Sequence, residues 1–128
     1  MTDVIRLVVP AQEAFRRVAN LVVGGLGARL HLTYEDLDDL QTALAAVLAQ
    51  RNDDGEVTVL IEVSGETVRS SVGPFTDGQI GDLERESDAL GLRRVLTTVA
   101  DAFEVERRDG SAYVVVTKHT AATAGAAG

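Results

Sequence analysis

The sequence predicts a two-layer α/β sandwich, with a mixed, mostly antiparallel sheet covered on one face by three helices. Three observations carry that prediction. Strand-like runs and helical-period segments follow one another in the order β-α-α-β-β-α-β-β. The short turn pairs Ser64-Gly65 and Asp109-Gly110 stand between β-rich runs, as hairpin turns do. With 128 residues and 45% hydrophobic content, the chain suits one domain with one core.

Val4 to Val9 is a β-branched run closed by Pro10 and reads as the first strand. Pro10 then opens a helix, where its missing N–H is tolerated. In that helix Phe15, Val18, Leu21, Val22, Leu26 and Leu30 recur at helical spacing and are expected to be the buried face. Glu13, Arg16, Arg17 and Asn20 mostly fall off it. Gly24, Gly25 and Gly27 each weaken a helix by roughly 1 kcal/mol relative to Ala, so a close approach to another element is expected there. Gly-Gly-x-Gly is not a phosphate loop in this setting, because it lies inside a helical pattern rather than after a strand.

Thr33 is a good N-cap for a second helix, with Asp36 as a weak capping-box analogue. Glu35, Asp36, Asp38 and Asp39 sit in its first turns, where the helix dipole favours anions. That explains the acidic run without a metal. Leu37, Leu40, Leu44, Val47 and Leu48 form its apolar stripe, and Asp53-Asp54-Gly55 makes a turn. Glu56 to Val63 and Thr67 to Val72 form a hairpin broken by Gly73-Pro74-Phe75. Thr76 to Arg85 is polar and is expected to be a mobile loop. Asp88 could cap a third helix running to about Ala102, with Leu92, Val95, Leu96, Val99 and Phe103 inward. Phe103 to Arg108 and Ala112 to Lys118 form the last hairpin. The expected domain is 1–119, followed by a disordered Ala/Thr/Gly tail over 120–128.

Composition narrows the function. A formal charge of -8 disfavours direct contact with nucleic acid or anionic lipid. The absence of cysteine removes thiol nucleophiles, disulfides and thiolate metal sites. No apolar run approaches the roughly 18–20 residues of a membrane span. The N-terminus lacks a signal-peptide pattern, so a cytoplasmic protein is expected. His31 and His119 are isolated and read as surface or capping groups. Ser70-Ser71 has no placed histidine base and reads as a solvent-facing strand end. Arg16-Arg17 and Arg93-Arg94 are short basic spots, either solvated or facing an acidic partner patch.

Four stretches, PAQEAFRRV, TYEDLDDLQTALAAV, GEVTVLIEV and LGLRRVLTTVADAFEVERRDGSAYVVVTK, stand in an order and spacing that resemble a known family. Over about residues 3–118 the chain resembles the anti-sigma-factor serine kinases of the RsbW and SpoIIAB type. These belong to the GHKL (histidine-kinase-like, Bergerat-fold) ATPases. The resemblance implies three nucleotide motifs. The first, E-x-x-x-N on the second helix, supplies a general base and a magnesium-binding asparagine; its positions fall on Ala46 and Gln50. The second, D-x-G-x-G after the third strand, reads adenine; its positions fall on Ser71 and Gly73, with Pro74 beside them. The third is a glycine-rich segment before the last helix, of which Gly91 is kept. Alanine has no proton acceptor, so base catalysis is expected to be lost at residue 46. No cofactor is expected, and ATP with magnesium only if the eroded motifs still work.

The family also holds a sigma factor and, in competition, an anti-anti-sigma protein. Helix one carries part of that surface, including a Glu and an Arg one turn apart, here Glu13 and Arg17, with Arg16 and Asn20 beside them. A Glu and Arg at this spacing also stabilise a helix by a few tenths of a kcal/mol, which leaves a purely structural explanation open. The leading expectation is a degenerate anti-sigma factor that sequesters a partner and forms a homodimer. The alternatives are an active serine-protein kinase and a pseudo-domain with a structural or dimerisation role.

Overall fold

The computed structural model describes residues 2–29, 32–81 and 91–119. Its elements are β1 (Thr2–Pro10), α1 (Glu13–Arg29), α2 (Tyr34–Leu48), β2 (Glu56–Ser64), β3 (Thr67–Phe75), α3 (Leu92–Val99), β4 (Ala102–Arg108) and β5 (Ser111–His119). The strands make one five-stranded sheet in the order β1-β2-β3-β5-β4. Every pairing is antiparallel, which narrows the expectation of a mixed sheet. Gly65 and the pair Asp109-Gly110 have positive φ at the two expected hairpin turns. The expected strand break at Gly73-Pro74-Phe75 is instead a register shift between Val72 and Phe75, and β3 continues through it.

Side chains alternate across a pleated strand, so one sheet face receives every second residue. Val57, Val59 and Ile61 of β2, Val68 and Val72 of β3, and Val114 and Val116 of β5 are buried in the core. Leu40, Leu44, Val47 and Leu48 of α2 and Leu92 and Leu96 of α3 close over them, as the apolar stripes predict. Thr33 caps α2 by accepting from the Asp36 N–H at 3.1 Å. Lys118 of β5 reaches Asp39 of α2 at 2.9 Å. Burial disfavours the charge on Lys118, but the hydrogen bond and charge of Asp39, with Asp101 and Asp36, outweigh it and hold the amine above its ordinary value.

Helix α1 differs from expectation. It begins at Glu13 rather than at Pro10, which ends β1, and the Glu13 N–H donates to Asn52 Oδ1 at 3.2 Å. Among its described residues Ala19, Val23 and Gly27 are buried, while Phe15, Val18, Leu21 and Val22 are exposed. Leu26 has no described side chain, and Leu30 and His31 lie outside the described residues, as does Asp88. The helix is turned so that Arg16, Ala19, Asn20 and Val23 face the seam with α2. The glycines explain the turn. A Cβ at Gly27 would lie 2.5 Å from Leu37 Cδ1, and one at Gly24 2.9 Å from Gln41 Nε2. Small residues let α2 approach this side, leaving the larger apolar residues outside.

The segment after β3 holds a second departure. Thr76 and Gln79 form a reciprocal cap, with Thr76 N to Gln79 Oε1 at 2.9 Å and Gln79 N to Thr76 Oγ1 at 3.2 Å. That turn drives Ile80 into the core, where it is fully buried. Residues 82–90 and the expected tail, 120–128, lie outside the described residues.

Candidate functional site

The positions assigned to nucleotide chemistry do not converge. Ala46 packs, partly buried, against the core from α2. Gln50 folds its side-chain amide back, donating from Nε2 to the Ala46 carbonyl at 3.1 Å. Gly91 is the N-cap of α3 and offers no side-chain cap. Ser71 lies on the other side of the sheet. It lines a depression with Arg6, Thr58, Leu60, Arg108 and Tyr113, and its Oγ lies 3.5 Å from Arg108 Nη2. By strand alternation the helix-facing serine is Ser70, fully buried with no hydrogen-bond partner for its Oγ. Neither serine is the solvent-facing strand end expected of the pair.

Gly73 has a structural use on Ser71's face. A Cβ there would lie 2.5 Å from Tyr113 Cδ2 and 2.9 Å from the Ala112 carbonyl oxygen. Only a glycine lets the Tyr113 ring lie this close to β3.

The segment joining α2 to β2 holds an arginine that sequence reasoning missed. Arg51 donates to both carboxylate oxygens of Asp53, at 2.5 and 3.0 Å. It also donates to the carbonyls of Glu56 at 2.7 Å and Pro74 at 3.2 Å. The same segment holds α1. Ala11 N donates to the Gly55 carbonyl at 2.8 Å, and Arg16 Nη2 lies 3.4 Å from the Arg51 carbonyl. The turn read at Asp53-Asp54-Gly55 leaves Arg51 out, and only the short Arg51 to Asp53 spacing points to a clamp.

The Arg51 hydrogen bonds, helped by the Gly55 N–H and working against desolvation, hold the Asp53 carboxyl below its ordinary value. A carboxylate lowered in the native state stabilises above its unfolded pKa, and that stabilisation is lost as pH falls through the native value. The stability advantage of wild type over Asp53→Asn, measured by urea unfolding, is therefore expected to shrink as pH falls below about 4. An advantage unchanged by acid would contradict this account.

On the outer side of α1, Glu13, Ala14, Arg16 and Arg17 line an open depression of about 560 Å³. Glu13 and Arg17 are exposed and, among the described residues, their charged groups have no partner, so the helix-stabilising pair is not formed. Arg16 lines both this depression and the α2 seam. Asn20 is exposed, and its carbonyl accepts from Gln41 Nε2 at 3.0 Å. Beside these groups runs the stripe of Phe15, Val18, Leu21 and Val22, with Leu21 70% exposed. Among the described residues, no group of three or more His, Cys, Asp or Glu is placed to hold a metal.

The chain is 26% identical to the serine-protein kinase RsbW of Halalkalibacterium halodurans over 91% of this chain and 83% of that one. It is 27% identical to the serine-protein kinase RsbW of Listeria monocytogenes, over 93% and 88%. The chain thus resembles RsbW kinases over most of its length. A solved structure of the RsbU and RsbW domains of a Mycobacterium tuberculosis protein superposes with a TM-score of 0.71 at 13% identity. This supports the fold; the RsbW-like chain spans 92% of its own length but only 32% of that larger chain. No family model matches. No helix among the described residues is long and apolar enough to cross a membrane.

Proposed function

We propose that this RsbW-like chain is a regulatory protein-binding domain, a degenerate anti-sigma factor that sequesters a protein partner without catalysis. The observation that carries the reading is the outer face of α1, where an apolar stripe lies exposed beside the unpaired Glu13 and Arg17. An apolar surface bordered by uncommitted charges is the form a partner-binding face takes. The partner is a sigma factor, an anti-anti-sigma protein, or both in competition. Affinity capture from native lysate, read by mass spectrometry, tests this. Recovery of neither class would overturn it.

Loss of catalysis belongs to the same proposal. Ala46 offers no proton acceptor, Gln50 is occupied by its own helix, Ser71 faces away from both, and Gly73 seats an aromatic ring. This set does not fit a magnesium nucleotide. Calorimetric titration with Mg-ATP and Mg-ADP is expected to show no saturable binding in the micromolar range, and micromolar affinity for either would overturn the claim. The name serine-protein kinase carried by the relatives favours one competing reading, ATP-dependent phosphorylation of an anti-anti-sigma partner. Radiolabelled ATP separates the two.

A homodimer and a cytoplasmic location complete the reading. Strand β1 is a sheet edge that exposes Val4 and Val8, a surface a second copy could cover. Light scattering measures that state.

A further inference from the structure

The sheet face turned away from the helices holds a depression of about 220 Å³, lined by Arg6, Thr58, Leu60, Ser71, Arg108 and Tyr113. Its charge runs against the rest of the molecule. The chain carries -8 overall, yet the two charged residues lining this depression are both arginines. Arg6 is exposed and makes no hydrogen bond or ion pair among the described residues.

The carboxylates of this face gather around Arg69 at the rim of the depression. Arg69 pairs with Glu106 and lies 3.8 Å from both Glu62 and Glu104. Glu104 shares a cross-strand row with Arg6, through Leu60, Ser71 and Val115. Four strand spacings, about 19 Å, separate them. Glu106 pairs with Arg108 at 3.2 Å as well as with Arg69, and Glu62 is the diagonal cross-strand neighbour of Arg6.

The remaining walls suit an anion with a small body attached. Arg108 is held over the Tyr113 ring, its guanidinium carbon 4.8 Å from the centroid, and reaches toward Ser71 Oγ. Ser71 is only 6% exposed, and its hydroxyl and that of Thr58 line the same depression. Leu60 and the Tyr113 ring supply apolar wall.

We propose that this depression binds the phosphate group of a small phosphorylated ligand. Arg6, which has no partner among the described residues, and Arg108, which shares Glu106 with Arg69, offer guanidinium donors from different strands to a phosphate. Hydroxyl donors serve the remaining oxygens. A volume below the roughly 300–1,000 Å³ of drug-sized pockets limits the rest of the ligand to a few atoms. The site lies across the sheet from Ala46, Gln50 and Gly91 and shares only Ser71 with the nucleotide positions.

The test is an NMR titration of the full chain with inorganic phosphate and, separately, glycerol phosphate, at constant ionic strength because exposed arginines are screened by salt. Saturable shifts are expected at the amides of Thr58, Ser71 and Tyr113 with both probes. Tighter binding of glycerol phosphate assigns a phosphomonoester, and equal binding assigns free phosphate. Arg6→Gln and Arg108→Gln are each expected to weaken binding by about tenfold, since each removes one charge-assisted contact. Arg94→Gln, on the exposed side of α3, is expected to change nothing. Shifts that never saturate, shifts equal in wild type and both variants, or shifts centred on Gln50 and Gly91 would overturn the proposal. Should Arg108→Gln unfold, Arg6→Gln still decides, because its side chain supports nothing else in the described fold.

Discussion

Arg51→Ala is expected to lower the stability of the chain by about 3 kcal/mol, the sum of several charge-assisted hydrogen bonds discounted for water entry. The side chain is only 11% exposed and joins three pieces of backbone. Its guanidinium holds Asp53 just after α2, the Glu56 carbonyl at the start of β2, and the Pro74 carbonyl near the end of β3. Removing it leaves those acceptors facing a hollow that Gly55 has been shaped to spare; a Cβ at Gly55 would lie 2.5 Å from Arg51 Nη2. It also loosens the segment on which α1 is seated through Ala11 and Asn52. Arg51→Lys is expected to recover less than half of the loss, because an ammonium cannot bridge a carboxylate and two carbonyls as a planar fork does. Urea unfolding measures both. Arg69→Ala provides the comparison: Arg69 has three carboxylate partners to the single one of Arg51, but its side chain is 41% exposed, so its cost should stay below about 1 kcal/mol. Equal costs at the two positions would show that the clamp has no special standing.

That clamp illustrates what the sequence makes legible. Long periodic segments declare themselves: Leu40, Leu44, Val47 and Leu48 on α2, and the alternating Val57, Val59 and Ile61 on β2, are core in pattern and in structure. Their burial is a local consequence of period and hydrophobicity. Other features depend on which element arrives from afar. Arg51 looks like a turn residue until Pro74, 23 residues on, supplies an acceptor. Ile80 is an apolar residue in a mostly polar stretch, and the Thr76–Gln79 cap aims it inward. Ser70 and Ser71 are adjacent and chemically equal, yet the pleat sends them to opposite faces, so a one-residue shift in matching the family motif changes the side of the sheet.

The phase of α1 was the costliest ambiguity, because hydrophobicity alone favours Phe15, Val18, Leu21 and Val22 as the buried set. The competing signal was size. Ala19, Gly24 and Gly27 mark the side where α2 comes closest, and a seam built on small residues outranks a stripe of larger ones. For a protein with a single task of staying folded, that arrangement would be a liability, since four large apolar side chains remain in water. It becomes intelligible if something covers them.

The variant Val18→Asp/Leu21→Asp tests what that is. Leu21 is 70% and Val18 47% exposed, so neither contributes much to the isolated fold, and the stability change is expected to stay within about 1 kcal/mol. At an interface each buried aliphatic side chain is worth about 1.5–3 kcal/mol, so replacing both with carboxylates is expected to weaken partner binding by at least about a hundredfold. Arg17→Ala should weaken it less, by about tenfold, as the loss of one charged contact at the rim. Binding of a captured sigma factor or anti-anti-sigma protein, followed on a biosensor, measures all three alongside thermal melts. A double variant that binds as wild type removes the α1 face from the partner interface. If that variant instead changes only the oligomeric state by light scattering, the stripe belongs to contact between copies, and Glu13 and Arg17 lose the apolar neighbour that made them a recognition site. Loss of binding with an unchanged melt and unchanged oligomeric state is the outcome that ties the exposed stripe and the unpaired charges to one partner.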